Sequence, residues 1–259
     1  MGHVRLGTLP RSRRWSQVVD LIGDGASAED VAGASANAAE AALGRASKDP
    51  AFSDAFWLLA NLPIAARAPG WLSALQGLGL DLPSDPTLIE LTRAVTDALD
   101  DWATARGNRT DLGEMARLAL VETLTGFVAP QLPSLFDPHP GEVRHALGRL
   151  ASGDRFAELS RAFFGHLMRR SLDYYRSREL ANHIGQDDRF RADADRRRFD
   201  AALATHCIEA SRIVQDFAGG WYGKTVWRDG DLSREAAARF AGVAFKKLRA
   251  ELGRRANAD

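Results

Sequence analysis

Apolar side chains recur every third or fourth residue along most of this chain, the spacing of one helix face. Leu88, Leu91, Val95, Leu99 and Trp102 make one such stripe. Phe156, Phe163, Phe164, Leu167, Met168, Tyr174 and Tyr175 make a second. Phe199, Leu203, Ala210, Ile213, Val214 and Phe217 make a third. Residues 112–128 are apolar nearly all round, the pattern of a buried helix. The prediction is an all-α multi-helix globular bundle of about ten helices.

Turn and cap residues divide the pattern. Gly23-Asp24-Gly25 ends an opening helix, and Ser27 with Asp30 three residues on is placed to cap the next. Asp85-Pro86 predicts another helix start, and Ser233 caps a last helix over 234–255 with the apolar set Ala237, Phe240, Val243, Ala244 and Leu248. The stretch 129–140 carries four prolines. It divides the chain into an extended basic arm (1–14), an N-terminal lobe (15–128), a connection (129–139) and a C-terminal lobe (140–259), the two lobes packed together. Gly219-Gly220 predicts a break in the helix that begins near residue 193. Trp221–Trp227 then reads as a short strand turned by Arg228-Asp229-Gly230, a hairpin near 221–231.

With 259 residues and 45% hydrophobic content the chain is long enough for a sizeable core. The formal net charge is +0, so no global field selects nucleic acid or membrane. The charge is uneven: residues 1–140 hold 11 basic and 17 acidic side chains, residues 141–259 hold 23 and 17. Two mutually attracting halves explain this, as does a basic half that faces an acidic partner. One cysteine, Cys207, excludes an intrachain disulfide and fits a cytoplasmic setting. The first fifteen residues lack the apolar core of a secretory leader, and no apolar run reaches membrane-span length.

Some polar residues interrupt apolar faces. Ser171, Arg178 and Asn182 project to the apolar side of the helix predicted over 155–184, and His206 falls within the apolar face of the next helix. Glu122 sits in the middle of the apolar helix 112–128, where a carboxylate needs a partner. If these helices pack against one another, the five residues meet. They then form a satisfied polar cluster in the core or the lining of a small pocket. The opposite face of helix 155–184 carries Glu158, His166, Arg169, Asp173, Arg176 and His183 at ion-pair spacing, a solvated ladder.

The chemistry-bearing motifs are incomplete. Glu142-Val-Arg-His145 has no second copy, as a di-iron bundle requires. Gly223-Lys224-Thr225 lacks the upstream glycine of a phosphate-binding loop. No cofactor or metal is expected, and the sequence leans away from an enzyme. Candidate contact residues are Arg11, Arg13 and Arg14 on the arm, Arg196, Arg197 and Arg198, the aromatics Trp221 and Tyr222 around Lys224, and Lys246 with Lys247. The leading expectation is a non-enzymatic cytoplasmic protein acting through a protein partner, or a second copy, within a complex. The second is a nucleic-acid-binding protein that uses the arm and the basic groups. The third is a helical enzyme or small-ligand binder around Arg178 and His206. No membrane is involved in any of them.

Overall fold

The computed structural model describes residues 13–38, 44, 48–107, 109–133, 141–180 and 190–255, with backbone alone over 175–180. The described chain is all-α. Its helices are α1 (Arg13–Gly23), α2 (Ala28–Ala38), α3 (Pro50–Arg67), α4 (Trp71–Gly77), α5 (Leu88–Ala105), α6 (Asp111–Val128), α7 (Glu142–Arg149), α8 (Gly153–Leu180), α9 (Asp193–Ala210), α10 (Arg212–Asp229) and α11 (Arg234–Arg255). A 3-10 turn, Ala129–Gln131, follows α6. None of the helices is long and apolar enough to cross a membrane, among the described residues.

Local chemistry sets the helix starts. Asp49 caps α3, accepting from the amides of Ala51 at 2.8 Å and Phe52 at 3.2 Å, and Pro50 occupies the first turn, where its missing N–H costs nothing. Thr87 and Glu90 form a reciprocal capping box on α5, so this helix begins two residues after Pro86 rather than at it. Thr110 caps α6 through the amide of Gly113 at 2.9 Å.

The centre of the fold is α3. It packs against α4, α5, α6, α7 and α11, and buries Phe52, Phe56, Leu58, Leu59 and Leu62. Its phenylalanines join Phe156, Phe163 and Phe164 of α8 and Phe240 and Phe245 of α11 in one aromatic cluster. Helix α8 packs on α6, α9 and α10, while α2 packs on α1, α9 and α11. Helices from either side of the proline-rich stretch therefore share one core.

Two expectations for residues 193–231 need correction. The helix does not stop at Gly219-Gly220; α10 runs through to Asp229, and no strand or hairpin forms at 221–231. Gly219 serves packing instead. A Cβ on Gly219 would lie 2.9 Å from the backbone oxygen of Gly153, so α8 and α10 cross with their backbones in contact. The actual stop is Gly230, with φ at 83°, whose amide closes on Val226. The break lies earlier, at Ser211 between α9 and α10. There the Ser211 hydroxyl donates to the Ile208 carbonyl at 2.7 Å, and Arg161 Nε donates to the same oxygen at 3.0 Å.

Candidate functional site

The short turn into α11 is pinned onto α3. Asn61 Nδ2 donates to the Leu232 carbonyl at 3.0 Å, and the Leu232 amide returns a bond to Asn61 Oδ1 at 3.1 Å. Trp57 Nε1 donates to the same carbonyl at 2.8 Å. This fixes where α11 starts, and so where Arg234 emerges. Its guanidinium carbon lies 3.9 Å from the ring centroid of Trp57 and 4.3 Å from that of Trp102, a cation held by two indoles. The same Arg234 and Arg106, just past α5, both pair with the buried Asp54 of α3. Asp54 is thereby neutralised, and the clamp locks three helices together.

Outward from the clamp, the start of α3 and the length of α11 bound a groove. It consists of two adjoining concavities of about 640 and 650 Å³ that share Lys48, Ser53 and Ala238. Glu235, Arg239, Gly242, Lys246 and Arg249 follow one another along the groove face of α11 at helical spacing. In all, six cations (Lys48, Arg106, Arg234, Arg239, Lys246 and Arg249) face two carboxylates, Asp54 and Glu235. Arg106 and Arg234 are spent on Asp54. Lys48, Arg239 and Lys246 have no ion-pair partner among the described residues. Val243 stands between Arg239 and Lys246, 51% exposed, although the sequence pattern assigns it to the buried stripe.

Glu122 gathers a different set of partners from those expected. On α6 it faces the polar side of α8, not His206. Arg169 Nη2 reaches both carboxylate oxygens at 3.1 Å, Arg170 Nη2 one of them at 2.8 Å, and His166 Nδ1 lies 3.2 Å from the other. Burial pushes the carboxyl pKa up, but the Arg170 hydrogen bond and the charges of His166, Arg169 and Arg170 outweigh it and hold the group below its ordinary value. Burial lowers the His166 pKa; Glu122 opposes this, and Arg169 and Arg170 add to it. Two arginines from α8 donating to one carboxylate on α6 suit an interhelical brace.

His206 lies elsewhere, 3% exposed, where α9 meets α2 and α11. Its Nδ1 is 3.5 Å from a Glu29 carboxylate oxygen, at the outer limit of a hydrogen bond, and neither ring nitrogen has a closer polar partner among the described residues. Ser171 is buried and donates to Leu167 of its own helix at 2.8 Å. Cys207 is buried. The Arg178 side chain and all of Asn182 fall outside the described residues, as does Arg11.

The other candidates disperse. Arg196 pairs with Asp193 and Asp200, Arg197 with Asp193, and Arg198 with Asp195, so this run is neutralised within its own helix. Arg13 is exposed, and Arg14 donates to the Asn37 carbonyl at 3.3 Å. Trp221 stacks on Phe240 at 4.1 Å. Tyr222 stacks on Phe156 at 3.8 Å, and its hydroxyl reaches the Ala60 carbonyl at 3.3 Å. Both rings belong to the interior, while Lys224 and Trp227 are exposed. Lys246 joins the groove, whereas Lys247 turns away and sits 4.8 Å from the Phe217 ring.

Sequence reasoning missed Lys48, Arg106, Arg234 and Arg239 as members of one surface. Only the stripe along α11 was available as a local signal; the rest depends on how α3, α5 and α11 converge. Among the described residues no group of three or more His, Cys, Asp or Glu side chains is placed to hold a metal ion. No protein-family model, curated protein or solved structure matches the chain.

Proposed function

We propose that this is a non-enzymatic, cytoplasmic helical protein that works by binding another protein within a complex, with the groove between α3 and α11 as its binding surface. One observation carries the reading: Lys48, Arg239 and Lys246 line a concave surface without ion-pair partners among the described residues, beside an exposed valine. Unpaired cations around an apolar contact are what a protein partner can satisfy. The tightest polar clusters, at Asp54 and Glu122, are ion networks that brace helices.

A protein partner fits this surface better than a nucleic acid. Of the two aromatic residues in the groove lining, Phe245 is buried in the core and Trp102 already carries Arg234 against its ring, which leaves little ring surface for base stacking. The Arg196–Arg198 run has its own acids. The test is affinity purification of the full chain from its source cells at low salt, with and without nuclease. A co-purifying protein that survives nuclease supports the reading. Recovery of nucleic acid alone, or of nothing at low salt, overturns it.

A further inference from the structure

We infer that the occupant of the groove is an acidic amphipathic helix, laid along α11 with carboxylates seven residues apart on Arg239 and Lys246 and an apolar side chain on Val243. The inference rests on the groove being the partner-binding surface, and it names the chemistry that surface recognises.

Spacing carries the argument. Seven residues of helix span about 10.5 Å along the axis, so that distance separates Arg239 from Lys246 at their Cα atoms. A helix lying alongside α11 presents acids at the same rise when they are also seven residues apart, on one face. An extended strand covers the same distance in about three residues, and side chains three apart in a strand point to opposite faces. A strand's same-face acids, two or four residues apart, stand about 6.6 or 13 Å from one another, and neither spacing matches that of the two cations as the seven-residue helical repeat does. Between the two cations, Gly242 contributes no side chain and Val243 is half exposed, which leaves a shallow apolar seat midway. An apolar residue three or four positions after the first acid fills that seat, the ordinary geometry of a helix in a groove.

The opposite wall completes the match. Lys48 approaches from the start of α3 and lines both concavities, so an acidic helix is met by cations from two sides. At the clamp end, Glu235 lines the groove instead. It disfavours a further acid there and sets the polarity of the occupant: the helix carries a neutral or basic residue beyond the carboxylate on Arg239.

A photo-crosslinking residue at position 243 of the full chain, expressed in its source cells, tests this. Captured chains are nuclease-treated and the crosslinked residues mapped by mass spectrometry. The expected capture falls in helical segments with Asp or Glu seven residues apart around an apolar residue. Adding Arg239→Glu and Lys246→Glu is expected to lower that capture by about tenfold. Lys247→Glu, on the other face, is expected to leave it within about twofold. Protein capture through segments lacking the paired acids, or capture unmoved by the double reversal, overturns the acidic helix and spares the protein-binding reading. Capture of nucleic acid, or of nothing, overturns both.

Discussion

The guanidinium of Arg234 lies 3.9 Å above the ring of Trp57, and this contact ties the start of the last helix to the central one. Trp102 flanks the same guanidinium at 4.3 Å, its ring tilted by 59° against Trp57, and Asp54 anchors the charge. Arg234→Ala removes two cation–π contacts and half of the Asp54 pairing. Because the Arg234 side chain remains 45% exposed, solvent screens the ion pair, and the expected loss is about 1–2 kcal/mol. Arg234→Lys keeps the charge but not the planar stack, and is expected to recover only part of it. Urea unfolding of the two variants checks the order.

Asn61 is the second half of that anchor. It exchanges two hydrogen bonds with the Leu232 backbone inside the protein. In Asn61→Ala the Leu232 amide is left buried and unpaired, whereas its carbonyl keeps Trp57. The expected cost is about 2 kcal/mol in the same assay.

Adjacent glycines in α10 are expected to respond with opposite signs. A Cβ at Gly219 meets the Gly153 backbone oxygen at 2.9 Å, so Gly219→Ala forces α8 and α10 apart, at about 1–3 kcal/mol. A Cβ at Gly220 meets nothing within 4 Å. Gly220→Ala is expected to stabilise the protein by about 0.5–1 kcal/mol, through helix propensity. Thermal unfolding of the pair separates crossing geometry from backbone entropy.

Stability is expected to fall between neutral and mildly acidic pH, partly through His206. Burial lowers its pKa most; Glu29 opposes this, Arg255 adds to it, and Glu209 opposes it. His166 is lowered as well, chiefly by burial. For a base whose folded pKa lies below its unfolded value of about 6.5, the unfolded state binds the extra proton, so stability drops as pH falls through that value. The drop is complete below the folded pKa. His206→Leu is expected to flatten the fall measured by denaturant unfolding between pH 7.5 and 5.5, with the remainder carried by His166. An unchanged slope contradicts the assignment.

Much of the fold was legible because helix signals are local. The Ser27–Asp30 cap, the Ser233 cap and the apolar stripe over 88–102 are each written within a few residues. Gly219 was misread because its role depends on Gly153, a partner no local pattern reveals. Glu122 was recognisable as a carboxylate in need of partners, but those partners came from the α8 face that looked like a solvated ladder. The groove was the least legible feature. Lys48, Arg106 and Arg239 become neighbours only after α3, α5 and α11 converge, and the more conspicuous Arg196–Arg198 run is cancelled by acids three and four residues away.

The groove itself is tested most directly by comparing what co-purifies with the parent chain, the Arg239→Glu/Lys246→Glu double variant and Lys247→Glu, after nuclease treatment and at equal folded protein. The predicted result is a protein partner retained by the parent and by Lys247→Glu, and reduced about tenfold on the double variant. Equal recovery of that partner from all three proteins would contradict the account.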